Sequence, residues 1–218
     1  MNSEKRLLRI MVSSTVYGIE ELLERVYVLL TSMGYEVWMS HKGTIPLASN
    51  QSAFENCLNA VEQCDLFLGI ITTSYGSGVD SNDSQSLSIT HHEILRAIEL
   101  DKPRWLLAYS NVIFARSFLN YLGYRGRKSR GSLRLAKNTV FTDLRVIDLY
   151  EDAIRDLEKP KSIPLEKRKG NWVQKYGGDL DSEQFVISQF VRYHEVEEFI
   201  STYIPHGRVT NNGETDVD

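Results

Sequence analysis

Apolar and polar positions along the chain follow two periods, and the switches between them mark its elements. Leu7 to Val12 is a short apolar run broken only by Arg9 and closed by Ser13-Ser14-Thr15, which reads as a strand and a hydroxyl-rich turn. From Ile19 the apolar positions (Leu22, Leu23, Val26, Leu30, Met33) recur at three- and four-residue spacing, one face of a helix. Glu20, Glu21 and Glu24 fall in its first turns, where the helix dipole favours anions, and Gly34 ends it. Tyr35 to Met39 reads as strand 2, followed by a polar loop from Ser40 to Asn50. Phe54, Cys57, Leu58 and Val61 mark the next helix, with Ser49, Asn50 or Ser52 as its N-cap. Asp65 then opens an apolar run through Ile71, the pattern of a strand buried on both faces. A polar loop leads to a helix around Ser88 to Ala97, a stop at Asp101-Lys102-Pro103, and strand 4 at Trp105 to Tyr109. Strands and helices alternating on short connections predict a parallel sheet covered by helices on both faces.

Beyond strand 4 the pattern loosens. Asn111 to Leu122 reads as a helix and Tyr124 to Asn138, rich in Gly, Ser and Arg, as an exposed loop. A fifth strand is expected around Arg145 to Asp148, then a helix from Tyr150 to Leu157 stopped by Lys159-Pro160. Lys161 to Gly178 reads as a polar linker anchored at Trp172 to Tyr176, and Ser182 to Tyr203 as one last helix. The expected organisation is an α/β domain over residues 1–158 with a basic insertion at about 111–138. A linker and C-terminal helix follow at 159–204, then a disordered tail at 205–218.

Composition narrows the function classes. Of 218 residues, 42% are hydrophobic and 25% charged, enough apolar content for a sizeable core. A net charge of -4 makes no global case for nucleic acid or an acidic membrane surface. Cys57 and Cys64 are spaced as neither a CxxC pair nor a disulfide framework and read as small core residues of a reducing compartment. With no signal-peptide pattern and no apolar run near the ~20 residues of a membrane helix, a cytoplasmic location is expected. Between Arg116 and Lys137 stand seven Lys or Arg and no Asp or Glu, a stretch that reads by default as a solvated loop.

Open parallel sheets bind ligands beyond the C-terminal ends of their strands. Ser13, Ser14 and Thr15 follow strand 1 there and suit a phosphate or ribose, or simply cap the first helix. Thr73, Tyr75 and Gly76 follow strand 3; Tyr75 suits stacking on a base and Gly76 a close backbone approach. Glu93 opens the next helix facing that loop, but Thr90-His91-His92-Glu93 also fits an S/T-x-x-E capping box. His92 is a candidate proton donor to a leaving base. His91 and His92, adjacent on a helix, point about 100° apart and share one metal ion poorly, so no metal is expected.

These residues carry a resemblance. Asp65, Ser88-Ile89-Thr90-His91-His92-Glu93, Ala97 and Lys102-Pro103 resemble a pattern of Toll/interleukin-1 receptor (TIR) like domains and nucleoside deoxyribosyltransferases. Ile10 to Tyr17, with Glu21 and Glu24-Arg25, is similar to the start of one TIR-like group, the domain of unknown function 4062 family. The resemblance covers about Leu7 to Tyr109. It implies a flavodoxin-like (TIR-like) sheet of order 2-1-3-4-5 with a C-terminal helical extension. It also implies a nucleotide-processing enzyme in which Glu93 cleaves or rearranges the N-glycosidic bond of NAD or a related nucleotide. A carboxylate below the ribose stabilises or traps the cation that this bond leaves behind. NAD is then substrate rather than cofactor, the setting bacterial antiviral defence signalling, and self-association or a partner effector protein is implied. Two other readings stand beside it, a non-catalytic protein-interaction module and a nucleoside base-exchange enzyme.

Overall fold

The computed structural model describes residues 6–76, 87–134, 136, 140–154 and 171–203. The elements run β1 (Arg9–Ser14), α1 (Glu20–Ser32), β2 (Glu36–Trp38), α2 (Ala53–Gln63), β3 (Leu66–Ile71), α3 (Ile89–Glu99), β4 (Arg104–Tyr109), α4 (Ser110–Tyr121), α5 (Gly126–Arg130), α6 (Arg145–Ile154), β5 (Val173–Tyr176), α7 (Asp179–Phe190) and α8 (Tyr193–Tyr203). The five strands form one parallel sheet of order β2-β1-β3-β4-β5, the flavodoxin-like α/β arrangement.

Alternation along the strands sorts their side chains into two cores. Ile10, Val12, Leu66, Leu68 and Ile70 pack with α1, α7 and α8 on one face. Met11, Phe67 and Ile71 pack with α2, α3, α4 and α6 on the other. Every residue of β3 is buried, as a central parallel strand requires. Asp65 clamps the entry to the sheet: it accepts two bonds from the Arg6 guanidinium at 2.7 Å and one from the Arg9 N–H at 2.9 Å. No helix among the described residues is long and apolar enough to cross a membrane.

Four expectations for the second half are corrected. Arg145 to Asp148 is the first turn of α6, not a strand; Val146, Ile147, Leu149 and Ala153 are buried at helical spacing. The fifth strand lies instead at Val173–Tyr176, inside the expected linker, so the C-terminal segment completes the sheet. The expected exposed loop contains α5, whose Arg130 is buried. The expected single last helix is two, α7 and α8. Tyr35 explains that break: its hydroxyl donates to the Phe190 carbonyl at 3.0 Å, an acceptor freed where α7 ends. Tyr193 then turns inward, its ring 4.9 Å from that of Tyr35 and its hydroxyl accepting from the Leu8 N–H at 2.8 Å. Tyr35→Phe orphans the carbonyl and is expected to cost about 1–2 kcal/mol in urea unfolding, without changing the circular dichroism spectrum. The Lys159-Pro160 stop and the 205–218 tail lie outside the described residues.

Candidate active site

Glu93 sits at the meeting of three elements. It lies on α3, which leans on the sheet where Gly69 of β3 leaves room; a Cβ there would stand 2.8 Å from Leu106 Cδ2 and 3.4 Å from Ile94 Cγ1. Gly69 is in register with Ser13 of β1, so α3 settles beside Ser13 as well. The Ser13 hydroxyl donates to Glu93 Oε2 at 2.5 Å, and the Cys57 thiol on α2 hydrogen-bonds the same carboxyl. Glu93 is only 4% exposed, and among the described residues it has no cationic partner within ion-pair distance. Burial pushes its pKa up to about 7, with the Ser13 and Cys57 hydrogen bonds pulling the other way. Burial likewise pushes the Cys57 thiol up to about 12, so it is no nucleophile near neutral pH.

The capping-box expectation fails. Ser88 is the N-cap of α3: it is extended (φ -73°, ψ 159°) and its Oγ accepts from the His91 N–H at 3.3 Å. Thr90 and Glu93 therefore both lie inside the helix, and Glu93 has no role at its end.

The other expected residues divide. Ser13 reaches Glu93. Ser14 does not; its hydroxyl ties β1 to β3 by donating to the Ile70 carbonyl at 2.9 Å. Thr15 is buried and lies against Gly76, where a Cβ would stand 3.0 Å from Thr15 Oγ1; at φ +92° that backbone favours glycine. The loop after β3 thus closes over the end of β1. Thr73 is half-buried at the end of β3. Tyr75 does not meet Glu93. Its hydroxyl bonds His91 Nδ1 at 2.8 Å, and the Arg145 guanidinium lies 4.7 Å over its ring, so that face is taken. His92 packs edge-on against Phe54 of α2, at 4.9 Å between ring centroids. No group of three or more His, Cys, Asp or Glu able to hold a metal ion occurs among the described residues.

Sequence reasoning missed a second constellation. His91 is fully buried, with Tyr75 on Nδ1 and Asp152 of α6 on Nε2, each at 2.8 Å. Asp152 also pairs with Arg127. The basic stretch is not a solvated loop: Arg116 bonds Glu151, Arg127 bonds Asp152, and Arg130 bonds Asp148 and Glu151. The available signal was the acidic stripe Asp148, Glu151, Asp152, three and four residues apart on one helix face. A pocket of about 720 Å³ opens beside this network, lined by Tyr75, Arg127, Arg130 and Arg145 among others. Glu93 and Ser13 do not line it.

A family model described as "Domain of unknown function (DUF4062)" matches residues 9–152, which span β1 to α6 and hold both constellations. The chain belongs to the DUF4062 family. The match extends past Tyr109, where the resemblance in the sequence ends, and so takes in Asp152 as well as His91. No curated protein matches the chain. Among solved structures, a conserved protein from Enterococcus faecalis V583 aligns at 10% identity and a TM-score of 0.40, covering 84% of this chain and 99% of its own.

Proposed function

We propose that this DUF4062 domain is a TIR-like enzyme that binds a nucleotide of the NAD type where β1 and β3 end, and cleaves or rearranges its N-glycosidic bond with Glu93. The observation that carries the reading is a buried carboxyl with no charge partner among the described residues, held by neutral hydrogen bonds from Ser13 and Cys57 alone. It neither caps α3 nor pairs with a cation among the described residues, and burial holds its pKa near 7. Groups kept in so costly a state concentrate at functional sites. In the reaction, the bond from C1′ of the ribose to the base nitrogen breaks and its electron pair leaves with the base. The ionised Glu93 then faces the positive carbon, stabilising it until water adds or bonding it covalently. Ser13 holds the carboxyl in one orientation.

The carboxylate is the working form, so turnover should rise with pH through about 7 and level off above it. NAD consumption followed from pH 5.5 to 8.5 on concentrated, self-associated protein tests this. A rate that is flat or falls across that range removes Glu93 as the anionic group.

A non-catalytic interaction module is the second reading, favoured by two observations. The 720 Å³ pocket is not lined by Glu93. Helix α4 also exposes Phe114 and Phe118, stacked at 5.9 Å, together with Tyr121.

A further inference from the structure

We propose that the loop 72–76, which follows β3, is a gate over Glu93, that the structure shows it shut, and that Tyr75 is its latch. The inference rests on the reading of Glu93 as the reacting carboxyl and says how a substrate reaches it. Glu93 is 4% exposed, and Ser13 and Thr15 beside it are buried as well. A ribose carbon has to come into contact with that carboxyl, so the site opens before it turns over.

The position of the loop makes it the cover. Gly76 bridges the end of β1 and the start of α3. A Cβ on it would stand 3.0 Å from Thr15 Oγ1 and 3.9 Å from Cβ of Ser88, the N-cap of α3. Ser13 and Glu93 bond to each other just below, two residues back along β1 and five residues further along α3. The loop therefore roofs the mouth of the crevice between β1 and α3, with Glu93 on its floor. It is also folded as one piece: the Thr72 hydroxyl accepts from the Ser74 N–H at 3.0 Å and donates to the Ser74 carbonyl at 3.2 Å.

Tyr75 holds the loop down from the side away from Glu93. It is 1% exposed. Its hydroxyl bonds His91 Nδ1 at 2.8 Å and accepts from the Ser88 N–H at 3.4 Å. Its own N–H donates to Thr142 Oγ1 at 3.3 Å, and the Arg145 guanidinium lies 4.7 Å over its ring. Behind His91 stands Asp152, bonded to Nε2 and paired with Arg127. The buried chain from His91 to Arg127 has no part in the chemistry of Glu93, and here it anchors the latch. His91 and Glu93 are two residues apart on α3, roughly 200° around the helix, so one helix carries the anchor on one side and the reacting carboxyl on the other. A short loop held by a few polar contacts opens at far lower cost than the apolar sheet beneath it.

The test is a thiol placed under the gate. In Thr15→Cys the new thiol lies beneath Gly76, while Cys64, 2% exposed at the end of α2, is an internal control in the same chain. N-ethylmaleimide is the probe, and peptide mass spectrometry reads the label at each position. Labelling at position 15 should be at least about tenfold slower than in the urea-unfolded chain. Adding Tyr75→Phe, which keeps the ring and removes the hydroxyl's bonds, should speed it at least about tenfold with Cys64 unchanged. Gly76→Ala should do the same by a separate route, since its backbone sits at φ +92° and its methyl would crowd residue 15. With Thr15 in place, either variant should lower KM for NAD by a similar factor, because a larger share of the protein is open. Labelling as fast as in the unfolded chain overturns the proposal, as does labelling that neither variant speeds or a rise matched at Cys64. Labelling as expected without NAD turnover supports the gate and counts against the proposed reaction instead.

Discussion

Glu93→Gln is expected to abolish N-glycosidic cleavage and to make the protein more stable above pH 7. The two effects have one origin. In the unfolded chain this carboxyl titrates near 4.5, and in the fold near 7. A raised carboxyl pKa means that the native state binds the extra proton, so stability falls as pH rises between these values. Below pH 4.5 the group is neutral in both states and costs nothing through ionisation. Above pH 7 the full cost applies, about 3 kcal/mol from the size of the shift. Glutamine carries no such charge, and its carbonyl can still accept from Ser13. Urea midpoints of the two proteins should therefore lie close together at acid pH and separate steadily in favour of the variant up to pH 8. A gap that does not widen with pH would mean that the carboxyl is solvated or paired, contrary to its observed burial.

Arg130→Ala is expected to be the most destabilising single change in the basic stretch. The guanidinium is buried and holds Asp148 and Glu151. Removing it leaves the nearly buried Asp148 beside Glu151 with that positive charge gone, a loss of about 3–5 kcal/mol. Replacing the whole group is different: Arg130→Met with Asp148→Leu removes both members of a pair and should recover much of the loss, because desolvation is then avoided. Chemical denaturation of the single and double variants measures this. A loss below about 1 kcal/mol for Arg130→Ala would fit a solvated surface pair instead.

The first four strands were legible because strands buried on both faces, such as Leu66 to Ile71, are written as unbroken apolar runs, while their order came only with the family resemblance. The fifth was not, because Val173–Tyr176 is an edge strand with polar Gln174 and Lys175, while Arg145 to Asp148 offered a short apolar pair compatible with either period. The break between α7 and α8 depends on Tyr35, which is 155 residues from its acceptor. At the site, Ser13 and Glu93 were singled out, yet the resemblance rather than the residue pattern brought them together. Ser88 and Thr90 both suit an N-cap, and only the backbone shows that Ser88 takes it. His91 and Asp152 are 61 residues apart, and nothing local in either stretch announces their contact.

The most direct measurement is product chromatography after incubating the concentrated protein with NAD and with free nucleosides, wild type beside Glu93→Gln. The account predicts release of the base and a ribosyl product from NAD by the wild type, and none by the variant, which stays folded. Equal product from both proteins, or no product from either on any of these substrates, would contradict it.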